Sequence, residues 1–210
     1  MLFRDRKDAA TKLAEQLSQY RGQNPLVLAI PRGAVPMAKI IANALDGEVD
    51  VVLVRKLRAP ANPEFAFGSV DETGWVYLAE YAERIAGSQQ YIESEKATQL
   101  EVMRQRRASY TPVRPPLDPT GRIVIVVDDG LATGSTMIAA LNALRAKHPQ
   151  KLICAVPVAP PDTLAKVTPY ADEVVCLTAP EQFYAVGQFY QSFPQVSDEE
   201  VIALLGEVTG

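Results

Sequence analysis

Residues 126–136 read VVDDGLATGST, and they are the most informative stretch of the chain. The β-branched run 123–127 leads into two adjacent acids, Asp128 and Asp129, and a small polar turn then opens a helical pattern. A short apolar run of this kind is typical of a buried strand in a parallel sheet. Strand, turn and helix in this order predict an α/β fold with a site at the carboxyl end of the strand.

The rest of the chain alternates apolar runs of strand length with runs of helical periodicity. The pattern predicts helix 5–20, strand 25–30, helix 33–45, strand 49–54, helix 90–108, strand 122–127, helix 135–147, strand 151–157, helix 162–168, strand 173–178 and a last helix opened by Ser197 and Glu200. The alternation favours a three-layer α/β fold, in which a mostly parallel sheet carries helices on both faces. We expect residues 1–210 to form one domain.

Residues 55–120 interrupt this alternation. Proline and basic residues predict a flexible loop over 55–68, residues 67–78 predict a hairpin about Asp71–Gly74, and 111–121 is a Pro-rich connector. We interpret 55–120 as a loop, hairpin and helix inserted as an excursion from the sheet.

Composition limits the classes of function. A chain of 210 residues with 48% hydrophobic residues is long and apolar enough to fold, and a net charge of −4 does not favour nucleic-acid binding. No apolar run approaches the roughly 20 residues that span a bilayer, and the first residues do not resemble a signal peptide. We therefore expect a cytoplasmic protein with no membrane or nucleic-acid partner. Cys154 and Cys176 are predicted to be buried reduced thiols, and His148 a solvated residue at a helix end.

Asp128 and Asp129 lie where ligands bind in open α/β sheets. Gly130 lets the chain turn, so the two carboxylates can reach different edges of one site. Carboxylates accept hydrogen bonds from sugar hydroxyls and also bind hydrated Mg²⁺. The acid pair therefore predicts a polyol site.

The turn that follows the acid pair offers hydrogen-bond donors, whereas the two carboxylates are acceptors. Thr133, Ser135 and Thr136 offer hydroxyl donors, and Gly134 removes a side chain where the backbone could approach a ligand. A helix that begins near Ser135 points its first N–H groups into the same space, which forms a phosphate cradle. Acid pair and cradle together predict a sugar phosphate. The alternative is that the acids cap the helix and the turn binds nothing.

The stretch VIVVDDGLATGST, residues 124–136, resembles the motif with which type I phosphoribosyltransferases bind phosphoribosyl pyrophosphate (PRPP). AIPRGAVPMAKIIA, residues 29–42, resembles the pyrophosphate loop of that family, and VRKLRAP, residues 54–60, resembles its basic segment after the second strand. Overall the chain is similar to a bacterial subgroup of predicted phosphoribosyltransferases. The resemblance implies a five-stranded parallel core, a flexible loop, a C-terminal hood at 180–194, and Mg²⁺ with PRPP as donor.

The resemblance also implies roles for the matching residues. Asp128 and Asp129 would hold the ribose 2- and 3-hydroxyls, residues 132–136 the 5-phosphate, and Arg32 with Gly33 the pyrophosphate. The predicted substrate-binding residues are Arg32, Gly33, Arg55, Lys56, Asp128, Asp129, Gly130, Ala132, Thr133, Gly134, Ser135 and Thr136. The predicted catalytic residues are Arg32, Lys56, Asp128 and Asp129. Mg²⁺ would be held through PRPP, with the two acids as candidate protein ligands.

Ala132 stands where some purine-transferring members of that family carry an Asp. This departure weakens the case for hypoxanthine or guanine as the acceptor.

Several other residues are candidates with a competing structural interpretation. Arg55 and Lys56 could neutralise a leaving group or be solvated at a strand end, and Glu64 is a candidate acid or base. An arginine cluster is best explained by the dipole at a helix end, and it comprises Arg104, Arg106 and Arg107. An aromatic cluster could stack on a base or pack the C-terminal tail, and it comprises Phe183, Tyr184, Phe189 and Tyr190.

We predict a Mg²⁺-dependent phosphoribosyltransferase of nucleotide metabolism. It would transfer the 5-phosphoribosyl group of PRPP to a nitrogen acceptor, a nucleobase, and release pyrophosphate. One alternative is a non-catalytic sensor of PRPP or a nucleotide, and another is a hydrolase of phosphorylated sugars that uses Asp128. A homodimer is left open.

Overall fold

The structure is a computed structural model that describes residues 2–112 and 116–206. The side chains of residues 63 and 64 lie outside this description, and with them the candidate acid or base Glu64. Residues 113–115 of the predicted Pro-rich connector lie outside it as well.

Eight strands and seven α-helices are assigned within the described ranges. The strands are β1 Leu26–Ala29, β2 Glu48–Val51, β3 Val54–Ala59, β4 Asn62–Asp71, β5 Val76–Leu78, β6 Ile123–Val127, β7 Lys151–Val158 and β8 Glu173–Thr178. The helices are α1 Arg6–Gln16, α2 Val35–Leu45, α3 Ala82–Ala86, α4 Gln89–Tyr110, α5 Ser135–Arg145, α6 Pro161–Val167 and α7 Asp198–Gly206. Short 3₁₀ turns cover Ser18–Tyr20, Thr168–Tyr170 and Val186–Phe189.

Five strands form the central parallel sheet in the order β2-β1-β6-β7-β8. Strand β6 lies in the middle and is buried along its whole length, as its run of β-branched residues predicts. Its last residue, Val127, stands level with Ala29 of β1 and Ala155 of β7. β1 and β6 therefore end at the same level, directly before Asp128, while β7 runs on to Val158 at the same edge of the sheet.

The two faces of this sheet carry separate hydrophobic clusters. Ile123, Ile125 and Val127 belong to the cluster that includes α1 and α2, whereas Val124 and Val126 belong to the one that includes α5. Successive residues of a strand point to opposite faces, so a strand between two helical layers must be apolar throughout. The predicted α/β fold, a five-stranded parallel sheet between helices, is confirmed.

Residues 55–68 are not a loop. They contribute β3 and part of β4, which pair antiparallel and form a second sheet in the order β3-β4-β5. In β3, Leu57 and Ala59 are buried while the residues beside them are charged, which is the alternation of a strand with one buried face. The loop was predicted because proline and basic residues are common in loops, and the alternation of buried and charged residues was not recognised. The predicted hairpin about Asp71–Gly74 is present as the β4–β5 turn.

The N-terminal segment lies beside the 189–191 segment. The backbone of Phe3 donates to the carbonyl of Phe189 and accepts from the N–H of Gln191, both at 2.8 Å. The last helix opens as predicted, since the N–H of Glu200 donates to Ser197 Oγ at 3.1 Å. That residues 1–210 are one domain, with an inserted excursion and a hood at 180–194, stays a prediction.

Cys154 and Cys176 are both free; the first is buried and the second half-buried. Among the described residues, none of the helices has both the length and the apolar character that crossing a membrane requires.

Candidate functional site

A cleft of about 420 Å³ lies at the carboxyl edge of the central sheet. The ends of β1 and β6 and the start of α5 form one wall, and β3 with α4 forms the other. The lining residues are Ile30, Pro31, Val54, Arg55, Lys56, Arg58, Arg106, Asp128 and Thr136. Four cations thus face an acid and a helix N-terminus, an arrangement that suits a ligand with both anionic groups and hydroxyls.

The two acids of the motif have different environments. The N–H of Asp129 donates to Oδ1 of Asp128 at 2.9 Å. Burial and the neighbouring Asp129 carboxylate raise the pKa of Asp128 well above its ordinary value. Burial also raises the pKa of Asp129, but hydrogen bonds and charge from Arg6 oppose that rise. Asp129 is therefore the member that keeps its charge, and Asp128 the one that takes up a proton first.

Arg6 is a site residue that the sequence analysis missed. Its Nε and Nη2 donate to Oδ2 of Asp129 at 3.0 and 2.8 Å. The guanidinium lies 3.9 Å from the ring centroid of Phe193, and the Tyr190 hydroxyl donates to the carbonyl of Asp129 at 2.6 Å. Arg6 and Asp129 are 123 residues apart in the chain, so no local pattern could have indicated the pair.

Gly33 packs directly against this ion pair. A Cβ atom built on Gly33 would lie 2.2 Å from Oδ2 of Asp129 and 2.9 Å from Nη2 of Arg6. Any side chain here would displace the ion pair, so glycine is required where the loop after β1 crosses the acids.

The turn 132–136 begins α5 as expected, at Ser135. Its N-cap, Gly134, has φ +76° and gives the helix start no side-chain hydrogen bond, so the first N–H groups of the helix stay available to a ligand. The hydroxyls of Thr133 and Ser135 are 3.1 Å apart, and Thr163 of α6 fixes the turn by donating to the carbonyl of Ala132 at 2.6 Å.

The reason for glycine at 134 differs from the prediction. A Cβ on Gly134 would lie 2.9 Å from Val167 and 3.0 Å from Thr163, so the empty side faces α6 and not a ligand. The absence of a side chain at Gly130 likewise makes room for a neighbouring residue, because a Cβ atom built there would lie 2.6 Å from Val186. Both glycines allow close packing of the turn against its neighbours.

The predicted cations Arg55 and Lys56 line the same cleft as Asp128, together with Arg58 and Arg106. Arg55 Nε donates to Gln99 at 2.9 Å. Burial, followed by repulsion from Arg106 and Arg58, lowers the pKa of Arg55. Cations held this close to one another favour an anionic ligand.

The three arginines near the end of α4 have different surroundings, and Arg107 lies in the last turn of the helix, where the dipole favours a cation. Arg106 lines the cleft. Arg107 is mostly buried and pairs with Asp50 at 3.1 Å and Glu72 at 2.6 Å, which fastens α4 to both sheets. Arg104 forms a surface ion pair with Glu101.

Arg32 lies at the predicted strand end, but its side chain turns toward α7. Its Nη1 is 3.8 Å from Oδ2 of Asp198, and the other oxygen of that carboxylate accepts from the Tyr110 hydroxyl at 2.6 Å. The peptide bond between Pro31 and Arg32 is cis. Ile30 and Pro31 are the residues of this loop that line the cleft.

Of the aromatic residues after β8, some pack in the C-terminal segment and one is free to stack on a base. Phe189 and Tyr190 are buried, and Phe183 packs on Phe189 with ring centroids 5.2 Å apart. Tyr184 is 87% exposed and remains available to a planar ligand.

Within the described ranges, no three His, Cys, Asp or Glu side chains cluster to hold a metal ion. Two adjacent carboxylates, one engaged by Arg6, fit a Mg²⁺ ion that takes most of its ligands from a substrate and from water.

Comparison with known proteins agrees with this geometry. A family model described as the phosphoribosyl transferase domain matches residues 3–192. Two proteins of Mycobacterium tuberculosis, named "Putative phosphoribosyl transferase MT0597" and "Putative phosphoribosyl transferase Rv0571c", are each 44% identical over 209 residues. The match takes in 97% of this chain and 46% of each relative, so the chain spans about half the length of these proteins.

Among solved structures, the protein TT1426 from Thermus thermophilus is 47% identical, with a TM-score of 0.88 over 100% of both chains. A hypothetical protein from Neisseria gonorrhoeae with bound ppGpp is 15% identical, with a TM-score of 0.53 over 98% of this chain and 97% of that one. The second similarity shows a shared fold alone.

Proposed function

Because the chain belongs to the phosphoribosyl transferase domain family, we propose that it transfers the 5-phosphoribosyl group of PRPP to a nitrogen acceptor and releases pyrophosphate. The observation that carries this proposal is the cleft in which Asp128, the start of α5 and four cations meet. PRPP requires these three kinds of contact, for its hydroxyls, its 5-phosphate and its pyrophosphate.

The acid pair would hold the ribose. Asp129, kept ionised by Arg6, accepts hydrogen bonds from the ribose hydroxyls, and Asp128 can accept or donate according to its protonation. The 5-phosphate would lie at residues 132–136, against the first N–H groups of α5.

The basic wall would stabilise the leaving group. As the bond from C1 to pyrophosphate breaks, positive charge develops on the ribose and negative charge on the departing oxygens. Arg55, Lys56, Arg58 and Arg106 line the cleft and would stabilise that negative charge, which is the usual route by which a preorganised site lowers a barrier. The acceptor nitrogen would then bond to C1 in place of the pyrophosphate oxygen, and its proton would pass to solvent.

Mg²⁺ held by the donor would neutralise part of the pyrophosphate charge. The acceptor would lie under the 180–194 segment, where Tyr184 is free to stack on a nucleobase. A role in nucleotide metabolism and a cytoplasmic location are further parts of the prediction, which leaves a homodimer open.

The test is pyrophosphate release from PRPP and Mg²⁺ in the presence of a panel of nucleobases and small amines. The double variant Asp128→Asn, Asp129→Asn is the control and should be folded but inactive. PRPP binding without any pyrophosphate release would favour the non-catalytic sensor. Phosphate release without an acceptor would favour the hydrolase.

A further inference from the structure

The last strand of the central sheet, β8, has one free edge. It pairs in parallel with β7, and no other strand of the described ranges pairs with it. A groove of about 730 Å³ runs along this edge, between residues 173–177 of β8 and α1. The side chains of α1 that line it are Lys12, Glu15, Gln16 and Gln19. The groove shares no lining residue with the donor cleft, so it is a separate surface.

The sequence of β8 does not protect this edge from another strand. A free edge exposes backbone N–H and C=O groups, and folded proteins usually shield it with lysine, proline, inward-pointing charges or a bulge. Residues 174–177 read VVCL, all four are partly exposed, and their strand is in regular register with β7. The edge can therefore accept a further strand through backbone hydrogen bonds.

The opposite edge of the central sheet, β2, is protected. This strand has only four residues, and two of them are acids, Glu48 and Asp50. Glu48 pairs with Arg122 at 2.7 Å, and Asp50 pairs with Arg107 at 3.1 Å. Short, charged edge strands oppose the addition of another strand, so β8 is the edge at which this sheet can be extended.

A second copy of the same chain fits this edge. Two copies of β8 that pair antiparallel about a two-fold axis normal to the sheet join the two sheets into one. Side chains alternate along a strand, so each residue must lie opposite one an even number of positions away if the faces are to continue. Val175 is the middle of the five groove residues, and an axis there places Val174 opposite Cys176 of the second copy.

The direction of α1 fixes which of its residues would meet at the axis. At the carboxyl edge of the sheet Arg6, the first residue of α1, contacts Asp129. At the other edge Tyr20, just beyond α1, contacts Glu173, the first residue of β8. The helix therefore runs antiparallel to β8, and the middle of the segment 6–20 is level with the middle of the strand.

The spacing of α1 from the axis suits a helix pair. Helix α1 packs over β7 and β8 alike, so its axis lies about 2.4 Å to the inner side of β8, half the distance between strands. The two-fold axis lies about 2.4 Å beyond the outer side. The two copies of α1 would then be about 10 Å apart, which is the usual distance between packed helices.

The charges of α1 are complementary across the same axis. Lys12 and Glu15 lie on either side of the middle of the 6–20 segment, and both line the groove. Rotation about the two-fold axis brings Lys12 of each copy opposite Glu15 of the other. Lys12 also pairs with Asp8 at 2.8 Å, but its side chain is 38% exposed and its ammonium has three donors.

We propose that two copies of the chain form a symmetric dimer through β8, with α1 of each copy packed against α1 of the other. Backbone hydrogen bonds and the apolar residues 174–177 hold the strands together. Two ion pairs between Lys12 and Glu15 favour the antiparallel register.

The experiment is sedimentation velocity over a range of protein concentrations, in which the wild type should show twice the monomer mass of 22.9 kDa. Lys12→Glu should raise the dissociation constant of the dimer by roughly 2- to 30-fold, as expected for two lost surface ion pairs. Adding Glu15→Lys exchanges the two charges, and the double variant should recover the dimer. Lys7→Glu is the matched control and should have no effect, because it changes the net charge equally at an exposed position of α1 outside the groove.

A second variant tests the strand itself. Val175→Lys should be monomeric, because the axis brings its two ammonium groups together, and circular dichroism checks that it is folded. If Val175→Lys unfolds, failure of Glu15→Lys to rescue Lys12→Glu would overturn the proposal by itself.

Two further outcomes would also overturn it. A monomeric wild type would leave the edge to an extended segment of another protein. A dimer that Lys12→Glu and Val175→Lys leave intact would place the contact on another face. These measurements use no PRPP, so their outcome is independent of the proposed transfer.

Discussion

Replacing Arg6 by Gln should destabilise the protein, because it removes the cation that holds Asp129. Both side chains are mostly buried, at 12% and 16% exposed, and two N–H groups contact one carboxylate oxygen. Removal of one partner from a buried pair costs roughly 3–5 kcal/mol. The pair keeps some contact with water, so we expect about 3 kcal/mol, or a fall in melting temperature of roughly 6–12 °C for a chain of this size.

The same change should make donor binding depend on pH. Hydrogen bonds and charge from Arg6 hold down the pKa of Asp129, so in the variant this pKa rises further. An ionised carboxylate accepts hydrogen bonds from ribose hydroxyls through both oxygens, whereas protonation removes part of that acceptor capacity. We therefore expect PRPP to bind the variant weakly at mildly acidic pH and to recover affinity as pH rises, with a smaller change in the wild type.

Thermal unfolding and calorimetric titration of PRPP, at a temperature where the variant is folded, measure the two effects. Arg4→Gln is the matched control, since Arg4 is 77% exposed and pairs with Asp8 on the surface of the N-terminal segment. It should change neither property. A variant at Arg6 with the melting temperature and pH dependence of the wild type would refute the reasoning that this residue maintains Asp129.

Three further outcomes are expected. The pKa of Asp128 is higher in the folded protein than in the unfolded chain, so the contribution of Asp128 to stability falls as pH rises from about 4 through the raised pKa. Asp128→Asn should therefore have a higher melting temperature than the wild type at neutral pH. This gain in melting temperature should vanish below about pH 4. Arg107→Met leaves Asp50 and Glu72 without that guanidinium, and urea unfolding should show a loss of roughly 3–5 kcal/mol, with a loss under about 1 kcal/mol contradicting this. Tyr184→Ala should raise the acceptor KM by roughly 2- to 12-fold at unchanged stability, and Tyr184→Phe should not, whereas an unchanged KM in both would place the acceptor elsewhere.

Local sequence patterns were sufficient to predict the central sheet and the turn that follows β6. Five consecutive β-branched residues can be accommodated only where both faces are covered, and Ser197 caps α7 through an atom three residues away. The sequence predicted a loop where β3 lies, because the exposed positions of this strand carry charged residues that are also common in loops. The partners of Arg6 and Arg32 depend on how distant segments pack, which residue spacing does not encode.

The pairing of Phe3 with the 189–191 segment has a consequence for the order of folding. Contacts between residues so far apart in the chain carry a large loop-closure entropy, and they form after contacts between neighbouring elements. Arg6 is close in sequence to Phe3, so we expect its ion pair with Asp129 to form late in folding. We expect the amides of Phe3 and Gln191 to exchange with solvent faster than those of β6, and PRPP to slow that exchange. Donor binding and the pairing of Phe3 with the 189–191 segment would then be one linked equilibrium.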